Sequence, residues 1–416
     1  MKLTKKPVTG MKDILPREME IRNYVMQQIR ETYTKFGFTQ IETPCVEHIE
    51  NLNSKQGGEN EKLIFKIMKR GEKLKLQEAQ SESDLTDSGL RYDLTLPLSR
   101  FYANNANDLP SPFKALQMGP VWRADRPQRG RYRQFMQCDI DILGEASNIA
   151  EIELVLATTT VLGKIGFKNF TIRINDRRIL KAMAAYSGFP EESYDEVFII
   201  LDKMDKIGID GVAEELVKEG FAQASVDKYM ELFRLITPDV QGVQTAKEKL
   251  EGYLDPSYAD SLMTIISSVE ATKQADFRMA FDPTLVRGMS YYTGPIFEIS
   301  MDEYGGSVGG GGRYDEMVGR FIGQPVPAVG FSIGFERIVM LLLEHDFQVP
   351  HAAKKTAYLV DKKCSDGQIR TAVAKAMEAR KNGDTVNVLV MKKNRKFQKD
   401  QLTGEGYTDF EEFYAD

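Results

Sequence analysis

Two segments in which apolar and polar residues alternate, joined by an arginine-rich stretch, constrain the fold of this chain most. They cover residues 113–122 and 134–142. Because successive side chains of a β-strand point to opposite faces, this alternation predicts two strands. The stretch between them carries five arginines from Arg123 to Arg133. The sequence therefore predicts an antiparallel pair of strands connected by a basic loop.

The amino-terminal region has the pattern of a helix followed by a strand. From Pro16 to about Lys35, apolar residues recur at helical spacing. The segment from Phe38 to Pro44 is rich in β-branched residues and predicts a strand that stops pairing at the proline. Residues 71–89 are polar and lack periodicity, so they predict a mobile loop between two short strands.

The middle of the chain has the pattern of a helical block inserted into one sheet. Residues 149–165 and then about 178–270 show helical spacing. Strand character returns at residues 291–301, and the segment from Gly305 to Gly312 predicts a glycine-rich turn. Residues 329–343 begin as a strand and become a helix. We expect the strands on both sides of the helical block to belong together.

The C-terminal region predicts a small separate βαβ unit. A strand at residues 358–360 precedes a helix at about 367–380, and a second strand follows at 386–390. The expected fold class is therefore α+β, an antiparallel sheet flanked by helices with a small C-terminal α/β domain. The expected segments are a first core part, a helical insertion, a second core part and the small domain, at residues 1–175, 176–275, 276–346 and 354–416.

Length and composition bound the class of protein. With 416 residues the chain is too long for one compact core, so we expect about two to three domains. Hydrophobic residues make up 42% and charged residues 28%, and no stretch approaches the roughly 20 apolar residues that span a bilayer. We therefore expect no membrane role. The basic amino terminus lacks a following apolar block, which favours a cytoplasmic location over secretion.

Charge, cysteine and histidine usage exclude several kinds of chemistry. The net charge of −6 does not indicate nucleic-acid binding, so any polyanion site must come from local clusters of Lys and Arg. Cys45, Cys138 and Cys364 are far apart and odd in number, which predicts free thiols rather than disulfides or a zinc motif. The three histidines lie outside the glycine-rich and arginine-rich segments, so we expect no histidine acid-base chemistry and no metal site from a protein motif.

The arginine loop is the strongest functional signal. Arginine can hold phosphate oxygens with two parallel donors, so a hairpin with several arginines suits a triphosphate and a nucleic-acid end. A solvated basic turn is the alternative interpretation. A glycine-containing strand that enters a helix near Arg337 also suits an anion. In residues 285–294, Arg287 lies close to Tyr291 and Tyr292, for which an aromatic core strand is the alternative.

Together these segments resemble the histidyl-tRNA synthetases. The loop that begins at Arg123 is similar to the class II motif 2, residues 331–340 to motif 3, and residues 38–44 to motif 1. Residues 285–293 and 311–315 match the signature that separates this family from other class II synthetases. The resemblance runs from about Val8 to Leu343 and implies a class II antiparallel sheet. It implies ATP-dependent activation of L-histidine, followed by transfer to tRNA(His).

The resemblance also implies site residues, with Arg123 and Arg287 as the catalytic pair at the α-phosphate. The histidine-binding positions that it implies are Asp93, Leu94, Thr95, Arg123, Gln137, Asp141, Arg287, Tyr291, Tyr292 and Tyr314. The implied ATP-binding positions are Arg123, Asp125, Phe135 and Arg337, with Phe135 and Arg337 on the two faces of the adenine. Family members read an additional 5′ guanosine of their tRNA through motif 2. The implied tRNA-binding positions are Arg126, Gln128 and Arg129.

Further implications are Mg²⁺ bound with ATP, and a homodimer formed through motif 1. The chain departs from the family pattern at Asp125, where Glu is usual, and at Ser290, where Asp is usual. The C-terminal unit is also short, which implies reduced anticodon contact. Its basic stretch, residues 392–399, suits phosphate contact, with a solvated helix or loop as the alternative.

Two other functions are compatible with parts of this pattern. One is a synthetase-like regulatory subunit of ATP phosphoribosyltransferase, which does not charge tRNA. Such paralogues typically lose catalytic arginines, whereas this chain keeps Arg123, Arg287 and Arg337. The other is an amino-acid-activating enzyme that loads a different acceptor, which fits the short C-terminal unit and not the basic loop.

Overall fold

The computed structural model describes residues 3–53, 60–286, 291–350 and 354–415. The chain divides into two compact units. The first contains Met1–Asp13 and Val25–Leu341, and the second contains Ile14–Tyr24 and Leu342–Asp416. Each unit has a sheet of its own.

The first unit is built on strands up to residue 333. They are β1 (Thr39–Ile41), β2 (Val46–His48), β3 (Lys66–Met68), β4 (Thr86–Leu90), β5 (Phe113–Trp122), β6 (Gln134–Leu143), β7 (Phe170–Asp176), β8 (Phe277–Phe281), β9 (Pro295–Met301), β10 (Gly306–Arg313) and β11 (Ala328–Ile333). Within the described residues, the central sheet has eight strands in the order β1-β5-β6-β11-β10-β9-β7-β8. The two edge pairs, β1 with β5 and β7 with β8, are parallel, and the inner pairs are antiparallel.

Thirteen α-helices lie between residues 16 and 344 of the described chain. They are α1 (Pro16–Lys35), α2 (Ile49–Leu52), α3 (Glu82–Leu85), α4 (Thr95–Asn105), α5 (Ile149–Ile165), α6 (Arg177–Ser187), α7 (Tyr194–Leu201), α8 (Met204–Lys218), α9 (Gln223–Leu235), α10 (Val240–Lys249), α11 (Pro256–Thr272), α12 (Asp315–Ile322) and α13 (Phe335–Glu344). The sequence predictions for α1, α5 and the helical block are confirmed. Among the described residues, none of the helices combines the length and apolar character needed to cross a membrane.

The long β5–β6 pair is the predicted antiparallel hairpin, and its register runs from Phe113 opposite Leu143 to Trp122 opposite Gln134. On one face its side chains enter the core, where Phe113, Ala115 and Leu143 pack in one apolar cluster. Helix α5 covers apolar surface with a buried set that includes Leu154 and Val161, and it ends at Gly166, whose φ of 106° is the left-handed conformation that glycine adopts most readily. The pattern of alternation therefore predicted both strands and their pairing.

The glycine-rich segment from Gly305 to Gly312 is not a turn, and that prediction was wrong. Residues Gly306–Arg313 form β10, an inner strand between β9 and β11. A Cβ atom on Gly311 would overlap the carbonyl oxygen of Gly330 on β11. Glycine is therefore required here by close approach of two strands, a use that composition alone does not distinguish from a turn.

Two more elements differ from the sequence predictions. The segment at residues 71–89 is not one continuous loop, because it contains a short 3-10 helix at Gly71–Lys73, helix α3 and most of β4. Helix α3 starts with a capping box between Ser81 and Asp84, a local pattern that the polar composition concealed. Strands β7 and β8 were not predicted, and they extend the central sheet beyond β9.

The second unit holds a three-stranded parallel sheet in the order β13-β12-β14. Its elements are β12 (Lys355–Val360), α14 (Asp366–Lys381), β13 (Thr385–Val390), α15 (Arg395–Gly404) and β14 (Asp409–Phe413). The predicted βαβ unit is confirmed, with α15 and β14 following it. In the basic stretch, Lys399 and Arg395 each approach Glu412, at 2.6 and 3.5 Å. Part of the predicted positive charge is thereby neutralised within the unit.

A buried ion pair stabilises the first unit. Arg313 at the end of β10 donates from Nε to Glu151 of α5 at 2.6 Å, and the two side chains are 7% and 2% exposed. The same guanidinium donates to the Glu145 carbonyl and approaches Asp315. Arg313 therefore has a structural role, although it lies in the glycine-rich signature next to Tyr314.

We expect Glu151→Ala to lower the free energy of unfolding by about 3–5 kcal/mol, because it removes the more deeply buried of the two carboxylates that pair with the Arg313 guanidinium. The matched control is Glu78→Ala, which removes the exposed Lys75–Glu78 pair and should change stability by no more than about 1 kcal/mol. Urea unfolding of both variants measures the difference. Equal, small losses would show that the buried pair does not contribute.

Candidate active site

A cavity of about 440 Å³ opens above the central sheet, in the first unit. Strands β6, β10 and β11, the arginine loop and the start of α4 contribute to its lining. The positions predicted from sequence that line it are Asp93, Thr95, Arg123, Asp125, Phe135, Gln137, Asp141, Tyr291, Tyr292, Tyr314 and Arg337. Four segments far apart in sequence are thus brought to one cavity.

The floor of the cavity is one face of β6. Gln137, Asp139 and Asp141 alternate along this strand with Cys138 and Ile140, which are fully buried on the opposite face. The three polar side chains are 8%, 4% and 2% exposed, and they line the cavity. Strand alternation therefore places an amide and two carboxyl groups in a row on an otherwise enclosed surface.

Asp141 is held by Tyr314, whose hydroxyl donates to Oδ1 at 2.6 Å. Gly330 of β11 lies directly opposite Asp141 in the strand register, and a Cβ atom there would overlap the same oxygen. Burial, and then the neighbouring Asp139 carboxylate, raise the pKa of Asp141 well above its usual range. Oδ2 of Asp141 has no hydrogen-bond partner among the described residues.

Asp93 lies two residues before α4, in the short connection between β4 and this helix. Its Oδ1 accepts a hydrogen bond from the Leu96 amide at 3.2 Å, one of the amides that a helix start leaves unpaired. Oδ2 has no partner in the described part of the chain. Burial raises the pKa of this carboxyl above its usual value. Thr95, the first residue of α4, lines the cavity beside it.

Asp139 lines the cavity but was missed by the sequence analysis. Its Oδ2 accepts from Nε2 of Gln137 at 3.1 Å, and Ser332 of β11 also hydrogen-bonds the carboxyl group. Burial raises the pKa of Asp139 to about 7, and the Asp93 carboxylate acts in the same direction. The alternation of polar residues along β6 was the signal that identifies this position.

Arg123 lies at the start of the arginine loop, and its Nε donates to the carbonyl of Tyr92 at 2.8 Å. Its guanidinium lies 5.2 Å from the centre of the Phe135 ring. Both residues line the cavity, together with Asp125. A cation and an aromatic face are therefore presented side by side at the rim of the acidic floor.

Arg337, in the first turn of α13, also lines the cavity, next to Gly130 of the arginine loop. It donates to the carbonyl of Ser307, and its guanidinium is 5.4 Å from the centre of the Tyr304 ring. Next to it, Glu336 accepts a hydrogen bond from the Met136 amide at 3.0 Å. These contacts fix the start of α13 against β6 and β10.

The tip of the arginine loop is a tight turn at the edge of the cavity, which Gly130 and Arg131 of this turn help to line. Backbone hydrogen bonds join Gln128 and Arg131 in both directions, and Gly130 has a φ of 68° at the position that a type II turn reserves for glycine. Arg126, Gln128 and Arg129 are exposed there. The three positions predicted for nucleic acid thus lie together and do not line the cavity, although the Arg129 guanidinium lies 6.0 Å from the centre of the Tyr304 ring that Arg337 also approaches.

Two further predicted positions are not among the residues that line the cavity. The Leu94 side chain is buried in the core, and its carbonyl accepts from Nε2 of Gln117 at 3.0 Å. Arg287, one of the predicted catalytic pair, lies outside the described residues.

Tyr291, Tyr292 and Tyr314 form an aromatic wall of the cavity. The ring centres of Tyr291 and Tyr292 are 4.7 Å apart, and those of Tyr291 and Tyr314 are 6.2 Å apart.

The arrangement favours a small molecule that carries a cation and a flat ring, bound next to a second molecule that is anionic. The carboxyl groups of the floor suit a cation, and the tyrosine wall suits a ring. The arginines at the rim suit phosphate or carboxylate oxygens. Among the described residues, no group of three or more His, Cys, Asp or Glu has the geometry of a metal site.

Comparison with known proteins agrees with this arrangement. A family model described as "Histidyl-tRNA synthetase" matches residues 10–338. The histidine–tRNA ligase of Leifsonia xyli subsp. xyli is 47% identical over 346 residues, which cover 81% of this chain and 80% of that protein. The probable histidine–tRNA ligase of Tropheryma whipplei strain Twist is 41% identical over 413 residues, covering 97% of this chain and 94% of that protein.

Solved structures show the same fold. The histidyl-tRNA synthetase of Nostoc sp. PCC 7120 superposes with a TM-score of 0.79 at 27% identity, covering 97% of this chain and 90% of that one. A protein from Bacillus halodurans C, described as an ATP phosphoribosyltransferase regulatory subunit/histidyl-tRNA synthetase, also has a TM-score of 0.79. It covers 100% of both chains at 20% identity, and this likeness therefore concerns the fold alone.

We expect the unliganded protein to lose stability as the pH rises from about 4 to 7, because folding raises the pKa of Asp139 from about 3.9 in an unfolded chain. The folded protein binds this proton more tightly in that window, so releasing it costs folding free energy. The groups that face Asp139 are Gln137, Ser332 and Arg123, which lower its pKa, and Asp93, which raises it.

Asp139→Asn removes this titration, so its stability relative to the wild type should improve between pH 5 and pH 8. The gain should be at most a few kcal/mol, at about 1.36 kcal/mol per pKa unit. Thermal unfolding of the unliganded proteins measures this gain in stability. Asp108→Asn, at an exposed aspartate, is the control. A relative stability of Asp139→Asn that does not change with pH would contradict the assignment.

Proposed function

This chain belongs to the histidyl-tRNA synthetase family, and we propose that its cavity activates L-histidine with ATP and then transfers the histidyl group to tRNA(His). The observation that carries this proposal is the cavity itself, which places an acidic floor and a tyrosine wall beside the arginine loop. A histidine molecule carries a cation, a polar ring and a carboxylate, and the three parts of the cavity match them.

The histidine subsite lies on the floor. Asp93 and Thr95 would receive the α-ammonium group, with Gln137 beside them. Asp141, held by Tyr314, would accept a hydrogen bond from an imidazole nitrogen, with Tyr291 and Tyr292 against the ring. A competitor without ring nitrogens would leave Oδ2 of the buried Asp141 carboxyl unpaired, which is how a polar pocket rejects apolar amino acids of similar shape.

The ATP subsite lies at the rim. Phe135 and Arg337 would hold the two faces of the adenine, with Asp125 near them. Arg123 would contact the α-phosphate, and we propose the same role for Arg287, which the structure does not describe. The leucine at position 94 has a packing role through its buried side chain and its bonded carbonyl.

Catalysis rests on position and charge. The carboxylate of bound histidine attacks the α-phosphate, pyrophosphate leaves, and no protein base is needed because the nucleophile is already ionised. Arg123 neutralises the charge that develops on the phosphate oxygens, and its hydrogen bond to the Tyr92 carbonyl fixes its direction before substrate binds. A hydroxyl of the terminal ribose of tRNA then attacks the carbonyl of histidyl-adenylate, and AMP leaves.

We propose that Mg²⁺ enters with ATP. This ion usually takes one or two carboxylates together with phosphate oxygens, and the carboxyl groups of Asp125 and Glu336 in the same lining fit that requirement. When bound, it would neutralise phosphate charge. The protein's own part is to orient the α-phosphate through Arg123 and the adenine through Phe135 and Arg337.

The remaining partners follow from the family. We propose a homodimer through the motif 1 region in a cytoplasmic protein. Strand β1 lies at the edge of the central sheet with Thr39 and Gln40 exposed, which supports an interface there.

The second unit would contact the anticodon weakly, because Glu412 neutralises part of its basic stretch. The regulatory alternative requires no arginine at the rim, and the presence of Arg123 and Arg337 beside the acidic floor favours the enzyme.

We expect Arg123→Ala to reduce histidine-dependent ATP–pyrophosphate exchange on the order of 100- to 1000-fold, because it removes charge stabilisation from the transition state. The matched control is Arg278→Ala, an exposed arginine of the edge strand β8, which should exchange at the wild-type rate. Thermal unfolding of both variants checks the fold. Exchange by Arg123→Ala at the wild-type rate would remove Arg123 from the catalytic role, and no exchange by the wild type would favour the regulatory alternative.

We expect Arg129→Ala to leave exchange nearly unchanged while it slows transfer to tRNA(His) by roughly 1–3 kcal/mol, because Arg129 is exposed and does not line the cavity. Arg129→Lys should lose part of this amount, since lysine cannot donate two parallel hydrogen bonds to a guanine edge. Single-turnover transfer from preformed adenylate measures the effect, which should shrink on tRNA that lacks the extra 5′ guanosine. Equal losses in exchange and transfer would instead place Arg129 on ATP.

A further inference from the structure

The floor of the cavity contains more hydrogen-bond acceptors than the proposed histidine subsite uses. Besides Asp93 and Asp141, the carboxyl group of Asp139 lines the cavity and is 4% exposed. Its Oδ2 is occupied by Nε2 of Gln137 and the group also bonds Ser332, whereas Oδ1 has no partner among the described residues. A buried carboxylate oxygen without a donor costs folding free energy, so a ligand atom that pairs with it is expected.

Two neighbouring acceptors share this property. Oδ2 of Asp93 and Oε1 of Gln137 are also buried without a partner in the described part of the chain. The three atoms belong to side chains that line the same cavity. An ammonium group has three N–H donors and no acceptor, so its hydrogen-bonding capacity equals that of the three oxygens.

The position of Arg123 separates this set from Asp141. The Arg123 guanidinium lowers the pKa of both Asp93 and Asp139, which places these carboxyl groups within its electrostatic reach. Asp141 is instead surrounded by Asp139, Asp93 and Tyr314, its hydrogen-bond donor. In an amino acid the ammonium and carboxylate groups share one carbon atom. A ligand whose carboxylate meets Arg123 therefore brings its ammonium to the Arg123 side of the floor, and its ring to the Asp141 side.

We propose that Asp139 binds the α-ammonium group of histidine jointly with Asp93 and Gln137, and that it orients the Gln137 amide so that its oxygen faces the ligand. This inference rests on the proposed function, which supplies histidine as the ligand. When ionised, Asp139 adds a second carboxylate at the ammonium position, and a bound ammonium group favours that ionised form. This second carboxylate makes the subsite selective for a protonated amine over a neutral or anionic group of the same size.

The amide orientation follows from the acceptor at position 139. A carboxylate accepts only, so Gln137 turns its Nε2 toward Asp139 and its Oε1 toward the cavity. An asparagine at 139 would offer both a donor and an acceptor, and the direction of the Gln137 amide would no longer be fixed. Loss of Asp139 therefore affects two of the three ammonium acceptors.

The test compares three ligands by calorimetry on the full-length wild type, Asp139→Asn and Asp141→Asn. L-Histidine carries ammonium, ring and carboxylate, L-histidinol keeps the ammonium and the ring, and imidazole-4-propionate keeps the ring and the carboxylate. Asp139→Asn should weaken L-histidine and L-histidinol about 10- to 100-fold, the range of a hydrogen bond to a charged group, and leave imidazole-4-propionate unchanged or tighter. Asp141→Asn should weaken all three ligands.

In pyrophosphate exchange, Asp139→Asn should raise the KM for histidine with little change in kcat once histidine is saturating. Asp139→Ser provides a second variant if the asparagine variant unfolds. An equal loss for imidazole-4-propionate would show that Asp139 contacts the ring, and an undiminished affinity for L-histidinol would reduce Asp139 to a structural role. Both results overturn the inference while wild-type exchange still supports the proposed function. Absence of wild-type exchange would overturn both.

Discussion

The burial of carboxyl groups on one face of β6 is the constraint on which the rest of the site depends. Asp139 and Asp141 are almost inaccessible, and Asp93 joins them from the connection that precedes α4. Such a cluster is costly in an empty protein, because each charge loses hydration and repels the others. The raised pKa values are the direct consequence, and a ligand that brings a cation and an N–H donor relieves the cost. The buried carboxyl groups therefore lower the stability of the empty protein and make the site selective for a ligand that carries a cation.

The surrounding sheet is shaped to permit this burial. Gly330 leaves room for the Asp141 carboxyl group, and Gly311 lets β10 approach β11 closely enough to close the floor. Tyr314 follows β10 directly and reaches Asp141 with its hydroxyl. The preceding residue, Arg313, turns away from the cavity and binds Glu151 of α5. Consecutive residues of one strand end therefore serve opposite purposes, with one closing the pocket and the other anchoring the strand to the core.

The sequence predicted the helices and strands whose apolar residues recur at regular spacing. It did not predict elements whose residues are determined by close packing or ligand contact. The β5–β6 hairpin, α1 and α5 followed directly from alternation and helical spacing. Strand β10 did not, because a glycine run selected for close strand contact has the composition of a turn. In the site, resemblance to a family identified Asp93 and Asp141. Asp139 was missed because it is not one of the positions that the resemblance to the family implied. The sequence nevertheless showed that Asp139 lies two residues after Gln137, on the same face of β6. The packing role of Leu94 became evident only from the structure, in which its carbonyl accepts a hydrogen bond from Gln117.

The most direct test of the account is the charging of total tRNA with labelled histidine and ATP, followed by identification of the charged species. We predict that tRNA(His) alone accumulates label, and that omission of ATP abolishes the labelling. A protein that exchanges pyrophosphate with histidine but leaves all tRNA uncharged would contradict the account, since the arginine loop would then serve a different acceptor. A protein that neither exchanges nor charges would show that the acidic floor binds its ligand for regulation.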